Sequence, residues 1–278
     1  QQYIAAAKKK GKSIGFVPTM GALHEGHLSL LKCCQAETDI SVCSIFVNPT
    51  QFDEKDDFDK YPRTTATDTK ILDEHDCTIL FLPNVSEIYP SDYRQKVFDF
   101  GYLAQPMEGA FRTGHFEGVG QVVNRLLEIV LPHKIFMGQK DYQQYCIITE
   151  LVRITNRATT VVRCPIVRES DGLAMSSRNV RLSSEERQKA PIIAATLNQM
   201  AVNYKVYTVG ELQKWAIDQI NSIEGMSVDY LEIVNAHTLQ AIHSWDDAPS
   251  VIVCTTVKLG SIRLLDNKFL FEAGTVIA

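Results

Sequence analysis

The chain has 278 residues, 45% of them hydrophobic and 22% charged, a balance that suits one large core or a large and a smaller one and excludes disorder, collagen-like repeats and coiled coil. Lys and Arg number 28 against 33 Asp and Glu, a net charge of −5; the one basic cluster, Lys8 to Lys12, reads as a solvated helix end, so no nucleic-acid partner is expected. Seven cysteines with no C-x-x-C pair predict reduced, mostly buried thiols, and with no signal peptide and no apolar run of roughly 20 residues they predict a cytoplasmic protein without a membrane partner.

Lys12 to Pro18 (KSIGFVP) predicts a buried first strand, and Leu23 to Ala36 a helix. Asp39 to Val47 predicts a second strand, ended by Asn48 and Pro49. Gln51 to Lys60 reads as a loop or helix start, its acidic part, Asp53 to Asp59, as a solvated face. Thr67 to His75 predicts a helix, and Cys77 to Leu82 a third buried strand stopped by Pro83. A long helix follows from His115 to Leu131, then a strand (Lys134 to Met137), a helix (Asp141 to Asn156) and a strand (Thr160 to Val167). Apolar strands alternating with helices predict an α/β fold: a doubly wound, Rossmann-like parallel sheet with ligands bound beyond the strands' carboxyl ends.

After Val167 the texture changes. A polar loop leads to a capping box, Ser183 with Glu186, and to two helices, about Ser184 to Tyr204 and Val209 to Ile223. Strands at Val228 to Val234, Ser250 to Val257 and Ile262 to Asp266 complete a small α+β domain. The expected division is 1–166 for the Rossmann-like domain and 167–278 for a smaller lid domain.

Four stretches carry chemistry. PTMGALHEGH (Pro18 to His27) leaves the first strand and enters a helix, where free N–H groups and the dipole attract anions. Gly21 and Gly26 allow close approach of a ligand, and His24 and His27 share one helical face. Such imidazoles suit hydrogen bonding to a phosphate as charge builds on it; exposed helix histidines, or half a zinc site, are the alternatives. Without a third suitably spaced ligand, no metal site is expected. GQKDYQQ (Gly138 to Gln144) also follows a strand: Lys140 supplies a point charge, Asp141 a helix cap or a ribose contact, and Gln144 donor and acceptor groups. MSSR (Met175 to Arg178) suits a lid over polyphosphate or a solvated linker. FVNPTQF (Phe46 to Phe52) offers Asn48 and Gln51 as neutral orienting groups, or turn chemistry alone. No G-x-G-x-x-G, Walker A or nucleophile-elbow motif supports a nicotinamide, P-loop or serine-hydrolase reading.

These motifs, with YPRT (Tyr61 to Thr64), GHFEGV (Gly114 to Val119), the run from Arg168 to Asn179 and the RLLDN near Arg263, stand in an order that resembles the pantoate–β-alanine ligase (pantothenate synthetase) family over nearly the whole chain. HEGH is similar to the HIGH motif of the wider nucleotidyltransferase superfamily. The resemblance implies ATP-dependent condensation of pantoate with β-alanine through a pantoyl adenylate, with Mg²⁺ carried on ATP and no assigned protein ligand. It implies ATP contacts from Met20, Gly21, Ala22, Leu23, His24, Glu25, Gly26 and His27. Gly138, Gln139, Lys140, Asp141, Val167, Met175, Ser176, Ser177 and Arg178 match the remaining ATP positions. His24, His27, Lys140, Ser176, Ser177 and Arg178 are the expected catalytic set, with His27 the residue the family labels a proton donor. Gln51 and Gln144 match pantoate-binding glutamines, joined by Asn48 as a substrate contact, and Arg112 matches a wall position of unassigned role. A cytoplasmic homodimer is implied too, as is an N-terminal helix missing its first residues. The rival readings are a HIGH-type nucleotidyltransferase joining AMP to a phosphorylated substrate, and a non-catalytic nucleotide-binding module.

Overall fold

A computed structural model describes residues 1–51, 58–59 and 61–274; most of the stretch 51–60, and of its acidic part, therefore lies outside the described residues. Helix α1 (Gln2–Lys9) precedes strand β1 (Ile14–Thr19), helix α2 (Glu25–Glu37), strand β2 (Ile40–Ile45), helix α3 (Thr65–Glu74) and strand β3 (Ile79–Phe81). Two short helical turns, α4 (Val85–Ile88) and α5 (Glu108–Phe111), lead to the long helix α6 (His115–Val130), then β4 (Lys134–Gly138), α7 (Tyr142–Ile154) and β5 (Thr160–Cys164). The five strands form one parallel sheet in the order β3-β2-β1-β4-β5. The chain winds outward from β1 through β2 to β3, then crosses to β4 on the other side. That reversal places the switch point between β1 and β4, where an open α/β sheet leaves a crevice.

Burial follows position in the sheet. Ile14, Phe16 and Val17 of β1 are fully buried, whereas all three residues of β3 are half-buried. The strand expected to be fully buried from Cys77 to Leu82 is thus a short strand at the edge of the sheet, beside β2. On one face α6 packs Val119, Val123 and Leu127 with Ile4 and Ala7 of α1. On the other, α2 packs Leu30, Leu31 and Cys34 against Val17, Cys43 and Phe136. All seven cysteines are unpaired; Cys33 and Cys77 are half-buried and the rest buried.

The remainder comprises α8 (Ser184–Lys189), α9 (Ile192–Asn203), α10 (Val209–Asn221) and an antiparallel sheet of β6 (Met226–Asn235), β7 (Val251–Leu259) and β8 (Ile262–Phe271). The single helix expected from Ser184 to Tyr204 is two, because Pro191 lacks the N–H that would continue the first. The Ser183–Glu186 capping box forms as expected, Ser183 Oγ accepting from the Glu186 N–H. Strand β5 ends at Cys164 rather than Val167 because Pro165 follows. Strand β8 runs beyond the expected Asp266, to Phe271. A second set of buried contacts, Tyr142 and Cys146 of α7 against Ala236, Ile252 and Cys254, joins the two sheets' layers. No helix of the described residues is long and apolar enough to cross a membrane.

Candidate active site

A cavity of about 240 Å³ opens at the carboxyl ends of the parallel strands, lined by Thr19 at the end of β1 and Met20 after it, Phe46 after β2, Gly138 at the end of β4 and Pro165 after β5. Its most constrained wall is the turn from β1 into α2. Gly21 has φ +85° and Ala22 φ +50°; both lie in the left-handed region, which costs least at glycine. The buried carboxylate of Asp68 on α3 holds this turn, accepting the N–H of Ala22 at 3.0 Å and of Leu23 at 2.9 Å. Thr64 Oγ1 donates to it at 3.1 Å.

The helix therefore begins later than its apolar spacing predicts, and His24 is its N-cap, outside the first turn. His24 Nδ1 accepts the Gly26 N–H at 3.1 Å, and His27 Nδ1 accepts the His24 N–H at 3.3 Å. A side chain at Gly26 would meet the His24 ring at 2.8 Å, so this glycine makes room for the imidazole. Gly21 likewise serves the turn, and does not border the cavity. A main-chain N–H can only donate, so each Nδ1 is the unprotonated nitrogen and each Nε2 carries hydrogen. Burial, then His24, pushes the His27 pKa down to about 3. Burial and Lys140 lower that of His24. Both rings, with centroids 4.1 Å apart, are neutral N–H donors at pH 7.

Opposite them, Lys140 and Asp141 border the cavity, with Lys140 Nζ 3.7 Å from Asp141 Oδ1. Asp141 stands at the N-cap of α7, but its side chain makes no cap bond; the expected cap is not formed. Gln144, Val167, Met175, Ser176, Ser177 and Arg178 also line the cavity. The loop from 167 to 175 closes on itself, the Met175 N–H reaching Val167 O at 3.0 Å.

Gln51 sits in the turn Pro49–Gln51; its Nε2 lies 2.8 Å from Met20 Sδ. Its carbonyl takes the His115 Nδ1–H at 2.9 Å, while Arg112 NH1 donates to His115 Nε2 at 3.1 Å. Arg112 and His115 both border the cavity.

Asn48 is fully buried behind this wall and does not line the cavity. Its amide donates to Thr50 Oγ1 at 3.0 Å and Gly118 O at 3.3 Å, and accepts from Tyr89 OH at 3.1 Å. Expected as a substrate contact, it instead spends its polar groups on the loop that carries Gln51. Ala22, Leu23, Glu25 and Gln139 also stay off the cavity surface. Nothing local in the sequence marks Asp68, His115 or the pair Asp266–Asn267 as builders of this site: the D and N of RLLDN and the H of GHFEGV stand within motifs, but their partners are distant in the chain.

The sequence model for pantoate-beta-alanine ligase matches residues 1–269. The chain belongs to the pantoate-beta-alanine ligase family. It is 46% identical over 267 residues to a pantothenate synthetase from Porphyromonas gingivalis, an alignment covering 96% of this chain and 95% of that one. With the enzyme of that name from Phocaeicola vulgatus it shares 48% over 269 residues, covering 96% and 95%. The solved pantothenate synthetase from Thermus thermophilus is similar in fold, with TM-score 0.90 and 37% identity over 96% of this chain and 98% of that one. A pantoate-beta-alanine ligase from Francisella tularensis, solved with beta-gamma ATP and beta-alanine, has TM-score 0.79 and 34% identity, covering 97% and 95%.

Proposed function

We propose that this chain condenses pantoate with β-alanine at the expense of ATP, releasing AMP and pyrophosphate, and that the cavity between β1, β4 and the 175–178 loop is where both steps occur. A pantoate carboxylate oxygen attacks the α-phosphorus, and the bond to pyrophosphate breaks. The β-alanine amine then attacks the acyl carbon, AMP leaves, and the amine gives up a proton.

The observation that carries this reading is the pair of neutral imidazoles whose Nδ1 atoms are both occupied by main-chain N–H groups. Each is left with an Nε2–H to offer a phosphate oxygen. His27, held neutral at pH 7 by burial and by His24, then acts as a hydrogen-bond donor through its Nε2–H. Lys140 adds positive charge toward the polyphosphate, and Ser176, Ser177 and Arg178 close the nucleotide side. Such an arrangement aligns the reactants and stabilises charge developing on phosphate without a protein nucleophile. Gln51 and Gln144 offer pantoate their amides, which can both donate and accept. Arg112 acts on that wall through His115 and the Gln51 carbonyl.

Mg²⁺ enters as the complex of ATP. Asp141 is the one carboxylate among the described residues that lines the cavity, so phosphates and waters supply most of the ion's ligands.

We also place the division between the nucleotide-binding part and the smaller part at 166/167, just beyond β5, and assign the protein to the cytoplasm as a homodimer. Light scattering, which reads one chain or two, tests the dimer.

The deciding experiment is pyrophosphate release from Mg·ATP and pantoate. The expected result is a burst of about one equivalent without β-alanine, and steady turnover to AMP with it. Release that requires a phosphorylated co-substrate in place of pantoate refutes the ligase reading.

A further inference from the structure

We propose that Asp266 and Asn267, adjacent on β8, are positioning residues that fix the separation between the Lys140 turn and the 175–178 loop; the inference rests on reading the cavity as an ATP site. Neither side chain borders that cavity, yet each holds one of its walls.

Asn267 fastens the turn after β4 at three points. Its Nδ2 donates to Gln139 O at 2.8 Å and Lys140 O at 2.9 Å, and its Oδ1 accepts from Gln139 Nε2 at 3.2 Å. Asp266 fastens the other wall through Arg168, whose two terminal nitrogens reach its carboxylate oxygens at 2.7 and 2.9 Å. That fork is the strong, directional form of the carboxylate–guanidinium bond. Arg168 in turn donates to Gly172 O at 3.0 Å and pairs with Ala174 across the base of the loop. Asp266 Oδ1 also accepts the Asn267 N–H at 2.7 Å, which links the two fastenings.

Both residues are almost wholly buried, at 4% and 1% exposure. Burying an amide and a carboxylate costs free energy unless their hydrogen bonds are made. Here the side chains direct those bonds at the two loops. One stiff strand thus spans the gap between the residue proposed to sit on the polyphosphate and the residues proposed to close over it. Small displacements of such groups cost rate steeply.

The test compares Asn267→Asp with Glu272→Gln. Asn267→Asp keeps the size, removes both donors and sets a carboxylate against two carbonyls. Glu272→Gln weakens the 2.6 Å pair with Arg163 that joins β5 to the end of β8, away from the cavity. For each, ATP affinity is measured by calorimetry, and the KM for ATP, the KM for pantoate and the pyrophosphate-release rate by assay.

The expected result for Asn267→Asp is a loss of about tenfold or more in ATP affinity or in pyrophosphate release. The KM for pantoate moves less, and Glu272→Gln behaves as wild type in every kinetic term. Wild-type ATP affinity and release rate in Asn267→Asp overturn the inference. So does an equal loss in Glu272→Gln, which marks a general effect of joining the two sheets. Should Asn267→Asp fail to fold, Asn267→Ser and Asp266→Asn are judged by the same criteria. If wild type binds ATP but releases no pyrophosphate with pantoate, the proposed reaction falls, and the variants' ATP affinity alone still decides the positioning role.

Discussion

His27 Nδ1 accepts the main-chain N–H of His24 at 3.3 Å, so one imidazole both completes the start of α2 and leaves its Nε2–H for a ligand. Replacing His27 by Ala removes the donor proposed for the phosphate. The expected outcome is a fall of about 10²- to 10³-fold in pyrophosphate release, the scale of losing one preorganised donor. The far-ultraviolet circular dichroism stays as in wild type. An undiminished burst would end the assignment.

The same histidine sets a pH dependence of stability. Its pKa is near 6.5 in the unfolded chain and about 3 in the folded one. Between those values the unfolded chain binds a proton that the folded chain does not, so stability rises with pH there. The contribution is whole above pH 6.5 and is lost as pH falls toward 3. Melting curves from about pH 7.5 to about 4.5 are expected to slope less in His27→Gln than in wild type; parallel curves contradict the neutral imidazole.

Gly118 on α6 faces the turn that carries Gln51, and a Cβ there would lie 2.3 Å from Thr50 O and 2.9 Å from Gln51 Cα. Both are main-chain atoms and cannot swing aside. Gly118→Ala is expected to cost about 1–3 kcal/mol, the usual penalty of overpacking. It should raise the KM for pantoate more than that for ATP. Equal changes in the two would detach Gln51 from the pantoate wall.

Asp68 accepts two main-chain N–H groups of the turn between β1 and α2. Asp68→Ala leaves both without this acceptor in a half-buried turn, at about 1–3 kcal/mol for groups left without a partner. That corresponds to a drop of roughly 4–8 °C in melting midpoint for about 2 kcal/mol in a chain of this size. Asp68→Asn keeps one acceptor oxygen and should fall between Ala and wild type. A neutral Asp68→Ala would show that the turn is held elsewhere.

Much of this architecture is written in short-range signals. Continuous apolar runs interrupted by helices point to a parallel sheet, because strands covered on both faces need no polar side. Position after a strand brings Met20, His24, Gly26 and His27, and Gly138, Lys140, Asp141 and Gln144, to the cavity, while Gly21, Ala22, Leu23, Glu25 and Gln139 of the same runs build the turns behind it. What the chain hides is long-range pairing. Asn48 looks like a ligand contact because it ends a strand, but its partners include Gly118 and Tyr89, 70 and 41 residues away. Asp68 reads as one more polar residue of a surface helix until it is seen beneath Ala22. The end of β8 is lost for the same reason: Asp266, Asn267 and Lys268 break the apolar alternation, and only the loops across the gap explain why polar groups sit in a buried strand.

The last strand of the smaller sheet carries a consequence for how the protein is made. The parallel sheet is complete once residue 164 has been synthesised, and it can begin to fold as the chain emerges. The two loops that flank the crevice are tied together by residues 266 and 267. Until the second sheet has been made, the loops beside the crevice lack the bonds that Asp266 and Asn267 supply. On the proposed positioning role, ATP binding is complete only when β8 docks. Translation intermediates truncated before that strand should bind ATP weakly, and those that include it should bind as the whole chain does.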